Sequence, residues 1–147
     1  MGTKMFVMVG KDRFEFDPYE LVVSQSNIKS ELAYQSQIFF NISFWVGKAK
    51  SLVDSLSSDL KIRAAELDEE IRSEAIEKGL KATDAKVGSA IIAHSSYREI
   101  SKALSDAQAS LNTLAALQQS YAQRKDCMIE LARQLRAENF NSTSPTV

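Results

Sequence analysis

Apolar residues recur along the middle of this chain with the rhythm of long helices. Trp45, Ala49, Val53, Leu56, Leu60, Ala64, Leu67, Ile71 and Ala75 follow steps of four, four and three. That eleven-residue period belongs to a nearly straight helix with little supercoil. A second series, Ile100, Ala107, Leu114, Tyr121, Met128 and Leu135, keeps an unbroken seven-residue spacing. A companion line of Tyr97, Leu104 and Leu111 runs beside it and fails at Gln118 and Lys125. Seven-residue spacing marks a helix whose apolar seam faces another helix.

The two patterns meet at Glu77-Lys78-Gly79-Leu80-Lys81-Ala82-Thr83. Gly79 suits the left-handed conformation that ends a helix. Thr83, followed by Asp84, suits an N-cap with an acidic first turn. The expected fold is mainly all-α: long helices over about 28–78 and 84–138 form an antiparallel two-helix coiled-coil hairpin. Folding at the turn brings Ile71 near Ile91, Leu60 near Leu104 and Trp45 near Leu117. About 50 residues rising 1.5 Å each give a rod of about 75 Å. So thin a rod buries little surface alone, which argues for an oligomer.

Residues 1–16 read differently. Met5–Val9 and Arg13–Phe16 flank Gly10-Lys11-Asp12, the signature of a small β-hairpin or arm that must pack on something. Asp17-Pro18-Tyr19-Glu20 opens a short helix over 17–25, since aspartate caps and proline fits the first helical position. The helical domain covers 17–139, and 140–147, polar and without periodicity, is a disordered tail.

Composition narrows the function classes. Eighteen basic residues against 19 acidic ones leave a net charge of −1, so nucleic acid or acidic lipid is attracted only through a local patch. The N-terminal apolar run is too short and too soon charged for a signal peptide. The longest near-apolar run, Ile38 to Val46, is too short to cross a bilayer. A cytoplasmic protein without membrane contact is expected. His94 and Cys127 are the only residues of their kinds, and about 50 Å of helix separates them. They read as a helix-face histidine and a small buried thiol. No metal-ligand spacing, phosphate-cradling loop or nucleophile elbow occurs. The chain is therefore expected to be no enzyme and to use no cofactor. The acidic run Glu66, Asp68, Glu69 and Glu70 reads as a solvated face partly neutralised by Arg63 and Arg72.

Two features remain. Phe39, Phe40, Phe44 and Trp45, with Ile38, Ile42 and Val46, occupy every face of a short helical stretch. One partner helix covers one face, so the rest need the N-terminal hairpin or other subunits. The four aromatics are thus the candidate oligomer interface. Arg72, Lys78, Lys81 and Lys86 gather at the turn, with Arg63 further down and Tyr97–Arg98 opposite it. In an oligomer whose tips converge, such patches add through multivalency, and basic grooves with stacking residues suit single-stranded nucleic acid.

Taken with Ser43-Phe44-Trp45, the stretch Ile71-Arg72-x-Glu74-Ala75-x-Glu77-Lys78-Gly79, then Lys81 to Val87, and finally Tyr97-Arg98, Leu117, Tyr121 and Arg124-Lys125-Asp126-x-Met128-Ile129, the chain resembles the phage recombination mediators of the UvsY type over roughly Ile28 to Glu138. The resemblance implies a ring-like homo-oligomer that binds single-stranded DNA. It implies help in loading a RecA-like recombinase onto strands coated by single-strand-binding protein, without covalent chemistry. DNA contacts towards the end of the first long helix then fall on Arg63, Arg72, Lys78, Lys81 and Lys86, with Arg98 beyond. The chain departs from the pattern where Asp68, Glu69 and Glu70 stand, and in its β-like arm. The alternative is a virion-associated or scaffold-like helical subunit that binds only proteins.

Overall fold

The computed structural model describes residues 2–143. The chain is mostly helical, with a small antiparallel two-stranded sheet at its start. Strands β1 (Met5–Val9) and β2 (Asp12–Phe16) pair Met5 with Phe16, Val7 with Phe14 and Val9 with Asp12. Gly10 takes a φ of 64° in the two-residue connection, where a side chain would be strained and a right-twisted hairpin needs a positive φ. Alternation then sends Val7, Val9 and Phe14 to the buried face. On the other face the Arg13 guanidinium lies 4.0 Å from the Phe6 ring centre and pairs with Glu15 at 3.0 Å.

The short helix expected over 17–25 is instead two 3-10 turns, Pro18–Leu21 and Gln25–Asn27. Asp17 does cap, accepting from the Tyr19 amide at 3.0 Å. Val22 is then extended, as a β-branched residue prefers, and interrupts the helix. Three helices follow: α1 (Ile28–Glu77), α2 (Asp84–Ala93) and α3 (Ser95–Ser142).

The end of α1 and the start of α2 follow from local chemistry. Gly79 sits at φ 66°, the Leu80 amide reaches back to the Ala75 carbonyl at 2.8 Å, and the Gly79 amide to Ile76 at 3.1 Å. These two bonds satisfy carbonyls that the helix end leaves open. The Thr83 hydroxyl accepts from the Lys86 amide at 3.3 Å, as an N-cap should.

The single helix expected over 84–138 is divided at His94, which is extended. His94 is therefore a cap and not a helix-face residue. Its Nδ1 accepts from the Ser96 amide at 3.2 Å and lies 2.8 Å from Ser96 Oγ. Ser96 Oγ in turn accepts from Arg63 Nε at 2.8 Å. At the far end α3 continues through Asn139 and Phe140 to Ser142, into the span expected to be disordered. Residues 144–147 of that span lie outside the described residues.

The chain divides into two compact units, and both long helices contribute to each. Unit 1 takes 1–47 and 112–147, of which 2–47 and 112–143 are described; unit 2 is Lys48–Leu111. In unit 2, Ala49, Leu67, Val87 and Ala107 are buried. In unit 1, Val7, Val9 and Phe14 of the hairpin, Ile28, Ile42 and Val46 of α1, and Leu114, Leu117, Tyr121 and Met128 of α3 form the core. Polar contacts within unit 1 run in opposite directions along the two helices. Ser43 meets Gln118 at 2.9 Å, Gln35 meets the Tyr121 carbonyl at 3.1 Å, and Glu31 meets Arg124 at 3.2 Å. The seven-residue line of α3 is buried or half-buried from Ile100 to Leu135. Its companion changes sides after Leu111: Leu117 and Arg124 are buried, whereas Lys125 is exposed. Cys127, expected to be buried, is exposed, because it lies off that seam beside the buried Met128. Among the described residues no helix is long and apolar enough to cross a membrane.

Candidate nucleic-acid interface

Unit 2 carries the six basic residues that the sequence singles out. Three are already engaged by carboxylates. Arg63 Nη1 contacts Glu66 at 3.0 Å and Glu70 at 3.2 Å, while its Nε holds Ser96. Arg72 donates from Nη2 to Asp84 at 2.7 Å and from Nε to Asp68 at 3.0 Å. Lys78 reaches Glu74 one turn back, at 2.6 Å. The hydrogen bond that Arg63 donates to Glu66 raises its affinity for its proton, and the bond that Arg72 donates to Asp84 does the same there. Lys78 holds the Glu74 carboxyl below its ordinary range. Among the described residues the acidic run is partly neutralised, through Glu66, Asp68 and Glu70 and not Glu69, and the neutralisation is mutual. Arg63 and Arg72 work as clasps, one on the α2–α3 break and the other on the first turn of α2.

Lys81 and Lys86 are different. Both are exposed, and among the described residues neither has an ion-pair partner. They border an open hollow of about 340 Å³ whose other walls are Ile71, Ala75, Leu80, Ala82, Val87 and Ala90. No carboxylate lines it. Two ammonium groups at the edge of an apolar wall can serve phosphates while a base covers the apolar surface.

Arg98, also exposed, has a neighbour that the sequence reading missed. Lys102 lies one turn along α3, and the two line a second hollow of about 390 Å³ with Ile92, Tyr97, Ser101, Ser105 and Asp106. Residues four apart share a helix face. That spacing was the available signal.

In unit 1 the aromatic cluster is split. Trp45 is half-buried, 5.2 Å from the Phe14 ring and edge-on to Phe44 at 6.4 Å. Ile42 and Val46 are in the core. Phe40 and Phe44 are 73% and 57% exposed, and Phe39 is 38% exposed. The hairpin covers the Trp45 side and leaves the phenylalanines in solvent.

Beneath them α1 and α3 share buried polar groups. Arg124 is only 7% exposed; it pairs with Glu31 and also donates to Gln35 at 3.3 Å. Burial, and next the Glu20 carboxylate, push the Tyr121 phenol up, while Arg124 opposes the shift. Among the described residues no group of three or more His, Cys, Asp or Glu side chains could hold a metal ion. Comparison with known proteins finds no matching family model, no matching curated protein and no matching solved structure.

Proposed function

We propose that the chain is an oligomeric single-stranded-DNA-binding recombination mediator working in the cytoplasm. Its long helices form an antiparallel coiled-coil hairpin whose tip contacts DNA. The exposed phenylalanines join copies into a ring-like homo-oligomer, so that several tips bind together. With single-strand-binding protein as a second partner, it helps load a RecA-like recombinase onto the strand and performs no covalent chemistry itself. The mediator role rests on the resemblance of Ile28 to Glu138 to the UvsY type. The DNA-binding role is supported chiefly by one observation: the apolar hollow at the turn is edged by Lys81 and Lys86 and by no carboxylate.

The test is titration of a labelled oligonucleotide at several salt concentrations. Affinity should fall as salt rises, because bound lysines release condensed counterions. Charge reversal of Lys81 and Lys86 together should weaken binding about tenfold or more, and reversal of the engaged Lys78 should weaken it less. Parental affinity in the double variant would remove the tip from the site.

A second reading is a structural or assembly subunit that touches only proteins. The engagement of Arg63, Arg72 and Lys78 by neighbouring carboxylates favours it, since little unpaired positive charge remains. Oligomers without detectable DNA affinity at low salt would establish that reading over the first.

A further inference from the structure

Unit 1 contains an open pocket of about 760 Å³ that belongs to neither the basic tip nor the hairpin core. Its walls include Tyr19, Tyr34 and Phe40, all largely exposed, and its polar groups include Glu20, Glu31 and Arg124. Arg124 gives the pocket no free positive charge. Nη2 is taken by Glu31 at 3.2 Å, and Nη1 by Gln35 at 3.3 Å and Met128 Sδ at 3.5 Å. Its Nε is buried without a partner, as is Glu31 Oε2. Glu20 has no ion-pair partner among the described residues.

Two carboxylates thus stand against one committed guanidinium, within a wall of aromatic rings. Excess negative charge turns phosphates away, so this pocket is no extension of a DNA surface. Aromatic faces beside a carboxylate favour a cation with an apolar stem. The geometry points to a docking pocket for a lysine or arginine side chain, presented between apolar residues by a protein partner other than this chain. The cation sits against the rings of Tyr34 and Tyr19 and is neutralised by Glu20. The flanking apolar residues cover Val22 and Ile38, and Phe40, at the pocket's edge, is left to the contact between copies. This site is independent of the nucleic-acid reading and holds whether or not the tip binds DNA.

Fluorescence anisotropy with a fluorescein-labelled Leu-Lys-Leu-Arg-Leu peptide tests the assignment on the full chain. Saturable binding is expected, with loss of binding when glutamate replaces both basic residues of the peptide. Glu20→Gln and Tyr34→Ala should each weaken it about tenfold, while oligomer mass and oligonucleotide binding stay as in the parent. Glu20 is exposed and outside the long helices, so E20Q carries the test if Y34A fails to fold. Equal binding of the glutamate peptide, or parental affinity in E20Q, overturns the proposal. So does a fall in oligomer mass in E20Q, which would make a second copy of this chain the occupant.

Discussion

The same two long helices build both units, yet the units spend their polar groups in opposite ways. In unit 2, Arg63, Arg72 and Lys78 stay at the surface and cancel neighbouring carboxylates. The interior is left to Ala49, Leu67, Val87 and Ala107. In unit 1, Gln35 and Arg124 go inside, and large aromatic rings come out. The seam of α3 explains the contrast. Up to Leu111 its companion residues are apolar; beyond Leu114 they move to the other side of the line, and Arg124 falls on the buried side. One seven-residue spine can serve two chemistries if its flank changes, because helix packing needs a filled seam and not a uniform one.

The largest expected effects fall in the two interiors, and the first tests the buried charge of unit 1. Arg124→Ala should lower unfolding free energy by about 3 kcal/mol in urea denaturation, since it empties a buried site and leaves the half-buried Glu31, its Oε2 inaccessible, without its cation. Adding Glu31→Gln should recover a large part of that loss. If the double variant is as unstable as the single one, packing and not charge sets the cost. Next come the apolar centres: Leu114→Ala in unit 1 and Leu67→Ala in unit 2 each remove a nearly inaccessible side chain. Each should cost about 2–5 kcal/mol, and hydrogen exchange should locate each loss in its own unit. Exchange that rises equally in both units would mean that they unfold together.

Smaller still is the turn of unit 2. Gly79→Ala forces a side chain into a φ of 66°, and Thr83→Ala removes the cap of α2. Each should cost about 1 kcal/mol by thermal or urea melting. The smallest expected effect is a pH dependence. The Tyr121 phenol titrates above its ordinary value of 10.0, chiefly from burial. Its contribution is complete below the unfolded value and is lost as pH rises through the folded one, so stability should decline in alkaline solution above about pH 10. Tyr121→Phe should flatten that decline; an unchanged slope assigns it to other groups.

The contrast between the units also marks what a sequence can disclose. The turn was legible because Gly79, Thr83 and Asp84 act within a few residues of themselves. The hairpin was legible for the same reason, through Gly10 and strict alternation. The break at His94 was not, since histidine and serine sit on helix faces without strain and one of the groups that hold Ser96, Arg63, comes from another helix. Arg124 was read only as part of a motif, because its burial depends on Glu31 and Gln35, about ninety residues earlier. Cys127 could have been placed correctly, since it stands beside the seam and not on it. Of the basic residues, the sequence located the group but not which members were free. Lys78 and Glu74 stand four apart, so spacing offered that pair; the contact of Arg72 with Asp84, across the turn, has no such signal.

The interruption at His94 has one more consequence. A continuous helix transmits rotation: one inserted residue turns everything beyond it by about 100°. The extended His94 separates the angular position of α2 from that of α3. A residue added near Leu114 would swing Tyr121 and Met128 off the seam, whereas one added before His94 leaves the internal phase of α3 unchanged. The break works as a phase joint: the seam of α3 takes its angular position from Ser95 onward and not from the segment with Lys86.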